Sequence, residues 1–156
     1  MGRIGTAVAR KASYGFGMKV LGYRRNLPGD ICADYGILTS DLDKVIRNSD
    51  FLSIHLPYTK DTFHLVSREK LELMKPDAYL LNLGRGEVVD QAALRELLLS
   101  NRLAGAALDV FEGEIPDADD PLLHMDQVIA TPHIAGLSKQ AMERLSYQAA
   151  LGLQRC

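Results

Sequence analysis

Short apolar runs alternate along this chain with segments whose apolar residues recur at helical spacing, a rhythm that predicts βαβ units. From Gly5 to Tyr14, Val8 and Ala12 share one face and Arg10 and Lys11 another, so a helix is expected there, ended by Gly15 and Gly17. Met18 to Tyr23 reads as a strand, the stretch with Asn26, Pro28 and Gly29 as a loop, and Gly36 to Thr39 as a weaker strand. Ser40 is the expected N-cap of a short helix over Asp41 to Asn48, and Phe51 to Leu56 is a strand closed by Pro57. Ser67 is expected to cap a helix reaching Met74, and Asp90 the helix that carries Leu94, Leu97 and Leu98. Further strands are expected at Ala78 to Leu83, Leu103 to Val110 and Gln127 to Ala130, with an acidic loop from Glu112 to Asp120 and a closing helix from Ser138 to Arg155. Strands that are apolar almost throughout belong in a parallel sheet covered on both faces. The pattern therefore predicts one doubly wound α/β domain over residues 1–156.

Charge and composition exclude several classes. Eighteen Lys plus Arg against twenty Asp plus Glu leave a net charge of −2, which provides no general attraction to nucleic acid or to an anionic membrane surface. No run approaches the ~18 apolar residues of a spanning helix, and the N-terminus lacks a signal-peptide core, so neither nucleic acid nor membrane is an expected partner and the cytoplasm is the expected location. Cys32 and Cys156 lie near opposite ends and form no CxxC, which suggests free thiols and no thiolate metal site.

The overall charge hides a local one. Arg3, Arg10, Lys11, Lys19, Arg24 and Arg25 occupy the first 25 residues with no acidic residue among them. Met1-Gly2-Arg3-Ile4-Gly5 is the tail of a GxGxxG pattern, in which glycines let the backbone approach a pyrophosphate at a helix N-terminus; Gly2 and Gly5 read equally as a flexible start. Where an acidic residue would bind the ribose 2′-hydroxyl of NAD, Arg24 and Arg25 stand instead, and their fixed forks suit a 2′-phosphate. That favours NADP over NAD, against the alternative that two exposed arginines merely solvate a loop.

Three further clusters follow predicted strand ends, where ligands bind in open parallel sheets. They are Asn82 to Asp90 with Arg85, Leu108 to Glu114 with Asp109 and Glu112, and Thr131 to Gly136 with His133. Each alone reads as a loop histidine, an ordinary arginine or a solvated acidic turn; together they could converge on one crevice.

These motifs, GRIGTAVA, HLPYTKDTFHL, NLGRGEVVD, ALDVFEGE and TPHIAG, resemble the nucleotide-binding domain of the D-isomer-specific 2-hydroxyacid dehydrogenases in order and spacing over nearly the whole chain. The resemblance implies a Rossmann-like fold and hydride transfer between NAD(P)H and a small 2-keto or 2-hydroxy acid, such as glyoxylate, hydroxypyruvate or phosphoglycerate. It implies that Arg85 grips the substrate carboxylate and polarises the carbonyl, and that His133 is the acid/base. Glu114 would pair with His133 and raise its pKa, with Glu112 as the local alternative. It further implies that Asp109 holds the nicotinamide carboxamide, that Pro57, Leu83, His133 and Gly136 line the cofactor cleft, and that Gly2, Arg3 and Ile4 belong to the pyrophosphate site. A homodimer is expected for the full-length form.

The family's sheet also has a central first strand and a separate substrate domain, and this sequence shows neither. The domain is thus expected to be incomplete at its N-terminus, with a gap between the strands starting at Met18 and Phe51, and the chain on its own to have very low activity. Two other readings remain: a dinucleotide-gated interaction module like the transcriptional corepressors that resemble these dehydrogenases, and an inactive gene fragment.

Overall fold

A computed structural model of the chain describes residues 2–24, 37–113 and 115–153. Arg25, Glu114 and the loop expected around Pro28 lie outside the described residues. Among the described residues five α-helices and six strands follow one another: α1 (Arg3–Arg10), β1 (Val20–Gly22), β2 (Ile37–Thr39), α2 (Leu42–Asn48), β3 (Phe51–Ile54), α3 (Arg68–Leu71), β4 (Tyr79–Asn82), α4 (Gln91–Leu99), β5 (Gly105–Leu108), β6 (Val128–Ala130) and α5 (Lys139–Leu153). Every strand pair is parallel, and β3, β4, β5 and β6 form a sheet in that order. β1 and β2 pair separately, with Val20 opposite Ile37, and among the described residues no hydrogen-bonded ladder joins them to β3. The sheet is thus in two pieces at the place where the sequence predicted a gap.

Side-chain alternation along β3 to β6 determines where the core lies. Leu52, Ile54, Leu80, Ala106 and Leu108 are buried in one cluster with Val45 and Ile46 of α2, Leu71 of α3, and Ala93, Leu94, Leu97 and Leu98 of α4. Truncating such a leucine costs about 2–5 kcal/mol in a packed core. The opposite face is barer: Phe51 and Tyr79 stack with ring centroids 5.5 Å apart while remaining 54% and 44% exposed. Leu21 and Tyr23 pack against the main cluster, while Ala9 of α1 and Ile37 form a small second one beside Val20.

Several boundaries differ from expectation. Asp41, not Ser40, caps α2, because its carboxylate accepts from the Lys44 amide at 2.8 Å. Ser67 precedes α3 but makes no capping bond, since its hydroxyl donates to Glu69; α3 closes at Leu71 and the chain reaches Met74 through tighter turns, Leu73 N to Lys70 O and Met74 N to Leu71 O. α1 widens into a π-helical turn over Lys11–Gly15 before Gly17, at φ +65°, reverses the chain. Asp90 caps α4 as the pattern predicts, accepting from the Ala93 amide at 2.9 Å.

Candidate active site

The carboxyl ends of β3, β4, β5 and β6 lie side by side, and the loops leaving them carry Pro57, Arg85, Glu112 and His133. Asn82 builds the turn that presents Arg85. At 1% exposure, its side chain donates to Arg85 O at 3.0 Å and accepts from the Gly84 amide at 3.1 Å, which satisfies a buried amide locally. Gly84 and Gly86 flank the arginine because the backbone is crowded there. A Cβ on Gly84 would lie 2.7 Å from Leu56 O, and one on Gly86 2.0 Å from the Phe111 carbonyl carbon and oxygen. Arg85 itself is exposed, and its Nη1 donates to Gly84 O at 2.8 Å.

Asp109 organises the histidine. It is 3% exposed and accepts from Thr131 Oγ1 at 2.6 Å, the Ile134 amide at 2.8 Å and the Ala135 amide at 2.9 Å, while its own carbonyl accepts from the His133 amide at 2.9 Å. Burial pushes this carboxyl up, but those three hydrogen bonds and the nearby His133 outweigh it and hold the group below the ordinary carboxylate range. Three donors fill most of the carboxylate's acceptor capacity. The carboxylate therefore faces the His133 turn, with acceptor capacity left for the carboxamide contact expected of it. His133 is pinned at φ +54°, a left-handed conformation that a non-glycine residue keeps only where its surroundings enforce it.

His133 borders a cavity of about 510 Å³ whose apolar lining includes Phe111, Ile115, Pro116 and Leu123. Arg85 is not in that lining. Glu112 pairs with His64, Nε2 to Oε1 at 3.0 Å. His64, Gln91 and Thr62 are not among the site residues expected from the motifs. Thr62 is buried and donates to Pro57 O at 2.8 Å, so it shapes the loop after β3; the repeated threonines of PYTKDT were the available signal. Pro57 is exposed and Leu83, 38% exposed, follows β4 on the neighbouring strand end.

At the other sheet piece, Gly2, Arg3, Thr6, Ala7, Arg10 and Arg24 line one concavity at the N-terminus of α1. Gly2 is the N-cap, no side chain among the described residues caps the helix, and its first turn holds no acidic residue. Open space surrounds the Gly2 Cα, where a Cβ would meet nothing within 4 Å. Amides at a helix end together with three arginines fit a phosphate group. Ile4 is exposed beside them, and Gly136 lies in open space after His133. Among the described residues no group of His, Cys, Asp and Glu is placed to hold a metal ion, and no helix is long and apolar enough to cross a membrane.

His55, just past β3, bonds to Ser53 Oγ at 2.8 Å through Nε2, and its buried Nδ1 has no hydrogen-bond partner among the described residues. Burial lowers its pKa from 6.5. The unfolded chain then takes up a proton that the folded one refuses, so stability is full above pH 6.5 and falls as the pH drops below it. Urea midpoints between pH 7 and 5 should fall more steeply for the native protein than for His55→Gln; parallel curves would show that His55 titrates alike in both states.

Residues 1–135 match the family described as D-isomer specific 2-hydroxyacid dehydrogenase, NAD binding domain. The chain belongs to this family. It is 44% identical over 153 residues to the glyoxylate reductase of Korarchaeum cryptofilum, covering 98% of this chain and 46% of the relative. D-lactate dehydrogenase of Aquifex aeolicus, solved with NAD and lactic acid, superposes with a TM-score of 0.87 at 36% identity, over 98% of this chain and 50% of that one. An acyclic imino acid reductase, solved with NADPH and D-arginine, superposes with a TM-score of 0.82 at 36% identity, over 96% and 46%. The chain thus spans about half the length of the relatives it matches. Its parallel sheet, flanked by helices, is the Rossmann-like fold of that family's NAD-binding domain.

Proposed function

We propose that this chain is the dinucleotide-binding part of an oxidoreductase that transfers a hydride between NAD(P)H and a small 2-keto acid, glyoxylate or hydroxypyruvate being the first candidates. The observation that carries this reading is the His133 turn, strained and fixed by a buried aspartate at a strand end adjoining the one that presents Arg85. The 44% identity to a glyoxylate reductase supports the substrate class.

When bound, the dinucleotide supplies or accepts the hydride. Gly2, Arg3, Ile4 and Arg24 would hold its phosphates, and Pro57, Leu83 and Gly136 would contribute to the cleft for the rest of it. Arg85 binds the substrate carboxylate with its planar fork and polarises the adjacent carbonyl. His133 would give its proton to the carbonyl oxygen as C2 is reduced, so that the carbonyl becomes an alcohol and the imidazole is left neutral; in oxidation it would take the proton back. Glu114 is the carboxylate assigned to His133, and Asp109 the one that orients its turn. Reduced dinucleotide should be consumed by the full-length protein, as the expected dimer, in the presence of glyoxylate or hydroxypyruvate. Tight dinucleotide binding without turnover on any 2-keto acid would favour an interaction module instead.

NADP is the proposed preference, because Arg24 lies in the same concavity as Arg3, Arg10 and the α1 N-terminus. Arg24→Asp combined with Arg25→Ala should lower the ratio of kcat/KM for NADPH to that for NADH by about tenfold or more, the worth of a charge-assisted phosphate contact. An unchanged ratio would mark the arginines as solvated surface.

A further inference from the structure

His64 lies in the loop between β3 and α3 at φ +44°, a second non-glycine residue in the left-handed region near the strand ends. Its amide donates to Glu87 O at 2.8 Å, Val66 N donates to Val88 O, and Val66 bridges Val89, so this loop is stitched onto the turn that follows Arg85. Its ring stacks on Phe63 with centroids 4.0 Å apart, and Nε2 meets Glu112 Oε1 at 3.0 Å. Glu112 is held a second time, its amide donating to Gln91 Oε1 at 2.8 Å, and Gln91 is in turn tied to Asp120. Gly86 sits directly against the Phe111–Glu112 peptide. His64 therefore joins the loops after β3, β4 and β5, its amide tied to the loop after β4 and its imidazole to Glu112 after β5, with Arg85 between those points.

We propose that His64 and Glu112 form a positioning pair that holds the Arg85 turn in register with the loop after β5, so that the guanidinium meets a carboxylate with its fork already aligned. This rests on the proposed reductase reading. Neither residue touches the reacting atoms. A bidentate fork must be held within a fraction of an ångström to bind well, and Arg85 is an exposed side chain on a loop that gains its rigidity from its neighbours. The pairing also separates Glu112 from the acid/base role: its carboxylate is committed to His64, whereas the His133 turn is bound to Asp109.

The test uses the full-length protein. His64→Asn tolerates the left-handed backbone but is too short to reach Glu112. It should raise the KM for the keto acid about tenfold, the worth of one hydrogen bond to a charged group, with kcat nearly unchanged. Glu112→Ala should do the same and the double variant no worse, because the two act as one unit. Glu112→Gln keeps a hydrogen bond to the imidazole and should restore the KM with an unshifted pH profile. Additive effects, an unchanged KM in His64→Asn, or a collapse of kcat with a shifted pH profile in Glu112→Gln would overturn the proposal. If the unaltered protein reduces no 2-keto acid, the reductase reading fails by itself. Amide exchange then decides this pairing: faster exchange at positions 64 and 112 in the His64→Asn and Glu112→Ala variants supports it, and unchanged exchange overturns it.

Discussion

Replacing His133 by alanine in the full-length protein is expected to lower kcat for keto-acid reduction by about 10²–10⁴, the range for losing a positioned general acid, while dinucleotide affinity stays nearly the same. The turn that carries it is held by backbone amides and Thr131 through Asp109, not by the imidazole, so removing the ring leaves those bonds in place. His133→Asn, better tolerated at φ +54°, serves as the companion variant and should lose the same activity without losing stability. Both should be followed by steady-state kinetics and by dinucleotide titration. Lost dinucleotide binding with kcat preserved would make His133 structural.

Gly86→Ala should be the most damaging single methyl in the site. Its Cβ would lie 2.0 Å from the carbonyl carbon and oxygen of Phe111 and 2.4 Å from the Glu112 amide nitrogen, all backbone atoms that cannot swing aside as a side chain does. The strand-end loops after β4 and β5 must separate, at a cost of about 3 kcal/mol, the upper range for overpacking. Because Arg85 is the adjacent residue, the substrate KM should rise as well. Gly15→Ala, where a Cβ would meet nothing within 4 Å, is the control and should be near neutral. Urea midpoints with unchanged slope measure the difference; equal midpoints for the two variants would show that the loops are not in contact.

The apolar runs carried most of the architecture. FLSI, YLLN, GAAL and VIA became adjacent parallel strands because each is short, apolar and followed by a turn-forming stretch. Boundaries were harder to read where two residues competed for one task. Ser40 and Asp41 both suit a cap, and which one serves depends on which carboxylate or hydroxyl reaches the Lys44 amide. The placement of Arg85 and His133 beyond strand ends was legible because their motifs follow short apolar runs. The Asp109 and His64 contacts were not, since the partners of Asp109 lie 22 to 26 residues away and that of His64 lies 48 away. Neither separation has a periodic signature. The near-bare face with Phe51 and Tyr79 was likewise invisible in a pattern that is apolar on both sides of the sheet.

The most direct test of the central claim is the fate of the hydride. Full-length protein given hydroxypyruvate and reduced dinucleotide deuterated at the transferring position should yield D-glycerate carrying deuterium at C2. Tight dinucleotide binding with no deuterium in the product would contradict it.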